Sequence, residues 1–259
     1  KSKTLPAKIE GFTPLSYSEA EQHQFILEIE RSAGKSVSPQ LDKFLRSDHV
    51  FSALCFAVGW CEAGLTLLGD TNRVLPADTP AWYAYAVTQS LRSNRSTEAA
   101  VAFAKQQAPS SPLRLLIAEM SLKSGQNATA LEEFKQLAHE NSDTGYRAAW
   151  LWATIALENS RPSEAQKALQ AQPRLASAET GRELAARIAL AQGKTADATR
   201  IYQQIASTSM EGKAYLAKTA FANHDWKRAE NLTLELLQRY PDEMQIRANL
   251  EAIRKAQRQ

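Results

Sequence analysis

The side chains that most often carry out chemistry are histidine, cysteine and paired carboxylates, and in this 259-residue chain they are scattered. The four histidines, His23, His49, His139 and His224, show neither the HxxxH nor the HExxH spacing with which a helix binds zinc. Histidines at the surface are the simpler interpretation. We therefore expect no metal site and no catalytic base among them.

The short motifs that bind phosphate or activate a nucleophile do not occur either. The sequence contains no P-loop pattern, no GxGxxG and no GxSxG. It therefore gives no support for nucleotide binding or for the nucleophile elbow of an α/β-hydrolase. Glu132 and Glu133 are adjacent on a predicted helix, where neighbouring side chains point in different directions. We predict a protein that is not an enzyme, with no catalytic residue, no cofactor and no metal.

Two cysteines, Cys55 and Cys61, are the only thiols, and they do not form a CxxC pair. They are either two small apolar residues of a core or a disulfide across the turn between two helices. The sequence leaves both interpretations open.

The charge pattern argues against a nucleic-acid partner. Lys and Arg number 31 against 28 Asp and Glu, a net charge of +3, and no basic stripe interleaved with aromatic residues is present. No apolar run approaches the roughly 18 residues that a membrane-spanning helix needs. We expect neither nucleic-acid binding nor direct bilayer insertion by this segment.

The elements that position any functional side chain are predicted to be helices. Hydrophobic residues make up 44% of the chain and charged residues 23%, so it has the material for a packed core. Only 10 Gly and 10 Pro are present, which favours long helical segments over sheets and turns.

A landmark alanine recurs along the chain at intervals of 36, 31, 35, 33 and 31 residues, which indicates a repeated helical hairpin. The six landmarks are Ala63, Ala99, Ala130, Ala165, Ala198 and Ala229. The residues four positions later are all large and apolar or aromatic except the last: Leu67, Phe103, Phe134, Leu169, Tyr202 and Thr233. The residues twelve positions earlier are alanine in the last four copies, as a close helix crossing requires, and larger in the first two: Phe51, Val87, Ala118, Ala153, Ala186 and Ala217. Predicted turns lie between these positions at Gly125, Ser160 to Pro162, Gly193 and Asn223 to Asp225.

This spacing resembles the tetratricopeptide repeat, a unit of about 34 residues with the pattern W-x2-L-G-x2-Y, then A-x3-F, then P. The last copy carries Leu216-Ala217, Trp226, Ala229 and Tyr240-Pro241 at matching places. Two further A-x3-F pairs are Ala99 with Phe103 and Ala130 with Phe134. The resemblance implies an all-α fold, a right-handed α-solenoid of stacked helix-turn-helix repeats with capping helices at its N- and C-terminal ends.

Four segments follow from the resemblance. Residues 1–17 are expected to be a lead-in or tether, and residues 18–43 N-terminal helices that form a cap or a divergent repeat. Residues 44–241 would hold about six hairpins, and residues 242–259 the C-terminal capping helix. In that last helix we expect Met244, Leu250 and Ile253 to face inward, and these basic residues to face water: Arg247, Arg254, Lys255 and Arg258.

In proteins similar to this family, the first helix of each hairpin lines a concave groove that binds a partner. The corresponding positions here are Glu119, Leu122, Arg147, Trp150, Thr154, Glu183, Arg187, Leu190, Lys218 and Phe221. Trp152 falls on a core position of its helix. Trp150 is then either an exposed aromatic residue flanked by Arg147 and Arg187, or a side chain packed between neighbouring hairpins.

The resemblance implies a non-catalytic scaffold whose partner is another protein, bound as a helix or an extended segment. Because the chain starts at Lys1 rather than Met, with a lead-in rich in Lys and Pro, we expect that a preceding segment has been removed. A membrane-tethered bacterial envelope assembly is one setting for such a protein. The alternatives are a structural module that self-associates into homo-oligomers, and an accessory domain cut from a larger enzyme.

Overall fold

The computed structural model describes residues 49–57, 59–71, 74–76, 79 and 81–258. Those residues are all-α, with fourteen helices and no strand, so the predicted all-α class is confirmed. The helices are α1 Val50–Ala57, α2 Cys61–Leu68, α3 Ala81–Asn94, α4 Thr97–Gln106, α5 Ser111–Lys123, α6 Asn127–Leu137, α7 Asp143–Glu158, α8 Pro162–Ala171, α9 Pro173–Ser177, α10 Glu179–Ala191, α11 Thr195–Ile205, α12 Met210–Ala222, α13 Trp226–Arg239 and α14 Met244–Gln257. The predicted tether and N-terminal helices at residues 1–43 lie outside the described residues.

The chain divides into two compact units, with the boundary between Glu133 and Phe134 inside α6. In the first unit, the successive helices from α1 to α5 pack on one another, and α3 also packs on α5. In the second unit, α7 to α14 do the same, and α7 also packs on α10. Packing between sequence neighbours is typical of repeated hairpins, each of which relies on the next to cover its apolar face.

Five of the turns between helices share one backbone conformation. A residue with positive φ ends the first helix of a hairpin, and these residues are Gly59, Gly125, Ser160, Gly193 and His224. At the second of these turns the N–H of Gln126 donates to the carbonyl of Ser121 at 2.9 Å, which satisfies a helix-end carbonyl in a Schellman motif. The predicted turns at Gly125, Ser160 to Pro162, Gly193 and Asn223 to Asp225 are confirmed.

The recurring turn shows that the predicted register of the first hairpin is wrong by one residue. In the later hairpins the positive-φ residue precedes the landmark by five positions, and five residues after Gly59 stands Gly64, not Ala63. Gly64 and Leu68 are buried, whereas Ala63 is exposed and Leu67 is 54% exposed. A one-residue shift turns a side chain by about 100° around the helix, which exchanges the buried and exposed faces.

The corrected register also gives the first hairpin a small residue at its helix crossing. Twelve residues before Gly64 stands Ser52, which is fully buried and donates its hydroxyl proton to the Gly64 carbonyl at 2.7 Å. The Tyr83 hydroxyl donates in turn to Ser52 at 2.8 Å. The prediction that Phe51 holds the small position is therefore wrong.

The second hairpin shows the same offset, whereas the last four keep the predicted register. Ala100 and Ala104 are buried, and Ala99 is only half-buried, although Phe103 is buried as expected. The remaining landmarks are all fully buried: Ala130, Ala165, Ala198 and Ala229. Trp152 is also buried, as its predicted core position requires.

Three glycines in the second unit stand where an added side chain would press on the segment that precedes their helix. Each is the third residue of its helix: Gly145 in α7, Gly181 in α10 and Gly212 in α12. A Cβ at Gly181 would lie 1.8 Å from the carbonyl oxygen of Leu175, and one at Gly145 would lie 2.0 Å from that of Glu140. At Gly145 and Gly181, only a residue without a side chain allows the helix to start so close to the preceding backbone. At Gly212 a Cβ would make a tight contact, 3.1 Å from a side-chain carbon of Ile205.

The C-terminal helix departs from its predicted packing at one residue. Met244 is 81% exposed, so the prediction that it faces inward is wrong, and Ile246 is buried together with Leu250 and Ile253. The basic residues expected to face water are exposed, as predicted: Arg247, Arg254, Lys255 and Arg258.

The two cysteines are both free thiols, which decides between the two interpretations of the sequence in favour of unpaired residues. Cys61 is buried and its thiol lies 3.5 Å from the carbonyl oxygen of Gly59. Burial raises the pKa of the Cys55 thiol, which disfavours the thiolate form that would react.

Candidate partner-binding groove

A groove opens in the second unit between α12 and α14, which both pack on α13. Its volume is about 550 Å³. The lining comes from α11 to α14 and is largely apolar: Tyr202, Met210, Glu211, Ala214, Tyr215, Ala217, Lys218, Phe221, Thr233, Leu236, Ile246, Asn249, Ala252 and Ile253. A groove of this size with mostly apolar walls is the usual form of a binding site.

The α12 wall has a large apolar residue at each end and alanines between them. Met210 is 38% exposed and Phe221 is 36% exposed, although both are hydrophobic. Ala214 and Ala217 lie between them on the same face of the helix. Phe221 is held edge-on against the Trp226 ring, with the centroids 5.1 Å apart. The α12 wall therefore presents two exposed apolar side chains, Met210 and Phe221, with a shallower stretch of two alanines between them.

Beside the groove, five residues of α10 to α12 form a polar cluster, which we call the Arg187 cluster: Glu183, Arg187, Tyr202, Ser209 and Glu211. Arg187 donates through two nitrogens to the Glu211 carboxylate, with Nε at 2.7 Å from Oε1. The Tyr202 hydroxyl donates to the same Oε1 at 2.6 Å, and Ser209 donates to Glu183. Hydrogen bonds thus join α10, α11 and the start of α12.

The electrostatics of this cluster favour a charged carboxylate. Burial alone would raise the pKa of Glu211, but the hydrogen bonds from Arg187 and Tyr202 outweigh it and hold that pKa below its ordinary value. The hydrogen bond to Glu211 raises the pKa of Arg187. Burial, followed by the bond to Glu211, raises the pKa of the Tyr202 phenol. Glu211 is therefore ionised and already paired, although it lines the groove.

We expect the substitution Glu211→Gln to lower the free energy of unfolding by about 1 kcal/mol at neutral pH, because it weakens charged hydrogen bonds at a partly exposed site. The folded pKa of Glu211 is depressed, so its contribution is complete above the unfolded pKa, near 4.5, and is lost as pH falls through the folded value. Urea unfolding of both proteins across this pH range measures the difference, which should shrink toward zero in acid.

The matched control for that prediction is Glu251→Gln, which removes an exposed carboxylate on α14 outside the groove lining. Its effect should stay within about 0.5 kcal/mol at every pH, as for an ordinary surface substitution. A Glu211→Gln effect that persists unchanged in acid would contradict the charged pairing with Arg187.

Lys218 is the other ionic residue of the groove lining. It is exposed and forms no ion pair with the residues that the structure describes. Lys213, on the same helix, is paired with Glu235 at 2.7 Å. Because Glu211 is neutralised by Arg187, the charge that the groove presents to an incoming molecule is that of Lys218.

The sequence-predicted groove residues are divided between the two units. Glu119 and Leu122 lie half-buried on α5 of the first unit. In the second unit Thr154, Glu183 and Leu190 are half-buried on α7 and α10. Lys218 and Phe221 line the α12–α14 groove. Their role in binding a partner stays a prediction.

The structure describes contacts for all three residues of the predicted aromatic site: Trp150, Arg147 and Arg187. Trp150 is half-buried, and the guanidinium carbon of Arg147, one turn earlier on α7, lies 4.9 Å from its ring centroid. Arg187 pairs with Glu211. Trp150 and Arg147 therefore form a cation–π pair within one helix.

Met210, Ile246 and Asn249 line the groove but were not identified from the sequence. Ile246 and Asn249 were missed because the last helix was interpreted only as a cap. The register of the hairpins offered a signal for Met210, which stands nineteen residues before Ala229 at the first position of its helix.

The histidines, cysteines and carboxylates of the described residues do not come together in a metal-binding group. No group of three or more His, Cys, Asp or Glu among the described residues could hold a metal ion. His139 and His224 are exposed, as the surface interpretation expects, but His49 is buried, with its ring centroid 6.4 Å from that of Tyr83. Within the described ranges, no helix is both long enough and apolar enough to cross a membrane.

The comparisons with known proteins add no relative. No protein-family model matches the chain, and no curated protein has a matching sequence. The groove and the Arg187 cluster are therefore the observations from which a function can be inferred.

Proposed function

We propose that this chain is a non-catalytic scaffold that binds a segment of another protein, with the α12–α14 groove as the principal site. We propose further that its hairpins form a right-handed, tetratricopeptide-like solenoid that ends in the capping helix α14. The observation that carries the proposal is the continuity of the apolar surface in this groove. Met210 and Phe221 are exposed on a wall whose lining is largely apolar, and contiguous apolar surface of this kind marks interaction sites.

The composition of the groove supports a protein partner rather than a reaction. Its polar members are few, and the most strongly hydrogen-bonded of them, Glu211 and Tyr202, are bonded to each other. The Thr233 hydroxyl donates to the carbonyl of Ala229 within its own helix. Exposed Phe and Met flanked by a single Lys are suited to anchor a partner's apolar side chains.

Site-specific photo-cross-linking tests this function in the native host. A photoreactive phenylalanine analogue at position 221 should form adducts with a discrete partner protein, because Phe221 lines the groove. The matched control carries the same analogue at Gln238, which is exposed on α13 and outside the lining. We expect adducts from position 221 that are at least roughly tenfold more abundant than from position 238, because only the groove residue contacts the bound segment.

The masses of the adducts distinguish this function from the alternatives. Equal adduct yields from both positions would contradict the groove as the binding site. An adduct of two copies of this chain would favour the self-associating structural module.

As a setting we propose a membrane-tethered envelope assembly, for which residues 1–17 would be the tether. If that setting is correct, the full-length gene should encode a hydrophobic segment before Lys1.

A further inference from the structure

The α12–α14 groove carries a more specific inference about the chemistry of its occupant, and this inference rests on the proposed function. We infer that the groove receives an amphipathic helix of about three turns, with an apolar stripe between Met210 and Phe221 and a carboxylate that meets Lys218.

The length and shape of the α12 wall fit one face of a helix. Met210, Ala214, Ala217 and Phe221 are spaced by four, three and four residues, so they form a single stripe along α12. At 1.5 Å per residue this stripe is about 16 Å long, which is three helical turns. At its centre Ala214 is exposed and Ala217 is small and buried, so a second helix can approach closely, while the large residues at the ends of the stripe hold that helix in place along the groove.

The hydrogen-bonding capacity of the groove favours a helix over an extended peptide. An extended segment brings unpaired backbone N–H and C=O groups, and each of these needs a partner when it is buried. Apart from the paired Glu211 and Tyr202, the polar groups of the lining are only Lys218, Asn249 and Tyr215, because the Thr233 hydroxyl is already donated to Ala229. A helix satisfies its backbone internally and buries only side chains, which is what this lining accepts.

The charge of the groove selects an acidic partner. Arg187 and Tyr202 both donate to Glu211, so this carboxylate is not free to pair with a cation of the occupant. Lys218 is exposed halfway along the wall between Ala214 and Phe221. A carboxylate beside the apolar stripe of the occupant would complete the pairing at this position, whereas a lysine there would be repelled.

Fluorescence anisotropy with two designed peptides tests the inference. Both are capped, alanine-rich peptides of about sixteen residues with leucines at i, i+4, i+7 and i+11, one with glutamates beside the leucines and the other with lysines. We expect the acidic peptide to bind the full chain at least about tenfold more tightly than the basic one. Lys218→Glu should reverse that preference, and Phe221→Asp should weaken both peptides at least tenfold.

The controls separate this inference from a general effect of charge or folding. Lys194→Glu makes the same charge change at an exposed turn outside the groove and should leave the preference intact. Circular dichroism verifies that every variant retains its helices. A proline in the middle of the acidic peptide, which prevents the helix, should abolish binding.

Three results would overturn the inference: no binding of either helical peptide, equal binding of the proline peptide, or an unchanged preference in Lys218→Glu. If any of these occurs while cross-linking from position 221 still identifies a partner, the helix inference fails and the proposed function stands. If position 221 yields no more adduct than Gln238, the proposed function itself fails.

Discussion

Replacing Tyr202 with alanine is expected to lower the free energy of unfolding by about 3 to 5 kcal/mol, the range measured for large aromatic residues in cores. Tyr202 is 2% exposed and packs in one cluster with Ala186, Ile205 and Leu216. Its ring centroid lies 4.4 Å from that of Tyr215. The substitution removes this packing together with the hydrogen bond to Glu211, and urea unfolding followed by circular dichroism measures the loss.

Tyr202→Phe is the matched variant that divides this loss into its two sources. It keeps the ring and removes only the hydroxyl that donates to Glu211 at 2.6 Å, so we expect a loss of about 1 to 3 kcal/mol. Equal losses in the alanine and phenylalanine variants would contradict the contribution of ring packing, and a phenylalanine variant as stable as the unmodified protein would contradict the contribution of the hydrogen bond to Glu211.

Gly181→Ala has the second large expected effect, a loss of about 3 kcal/mol, at the upper end of the range for overpacking. The added methyl group would stand 1.8 Å from the carbonyl oxygen of Leu175 and 2.6 Å from its carbon. Both are backbone atoms of α9, so the start of α10 must move away from that helix. A urea titration of the variant measures the change.

Two other glycines serve as comparisons for that variant. A Cβ at Gly64 would meet the Phe56 ring at 2.8 Å, and a side chain can rotate where a backbone carbonyl cannot, so Gly64→Ala should cost less than Gly181→Ala. At Gly125 no atom lies within 4 Å, but φ is +79°, so alanine there should cost only the left-handed conformation, about 1 to 2 kcal/mol. A Gly181→Ala loss no larger than that of Gly125→Ala would contradict the close approach.

Much of the candidate groove could be predicted from the hairpin register, but its charge could not. Lys218 and Phe221 were identified because the spacing from a buried alanine specifies which helical face they occupy. Arg187 was expected to flank Trp150, yet it bonds Glu211, which is 24 residues later in the chain. The distances between helices decide which charged residues form an ion pair, and a sequence pattern does not contain those distances.

The sequence by itself determined the helical class, the alternation of long helices with short turns, and the register of the last four hairpins. These follow from local physics, because helical periodicity and turn residues such as Gly125 and Gly193 act within a few positions along the chain. Only the tertiary structure decided that Gly64 replaces Ala63 in the core, that Ile246 rather than Met244 is buried, and that a groove opens between α12 and α14. A rotation of about 100° per residue separates buried from exposed faces, so a small uncertainty in register is corrected only by the packing of one helix against another.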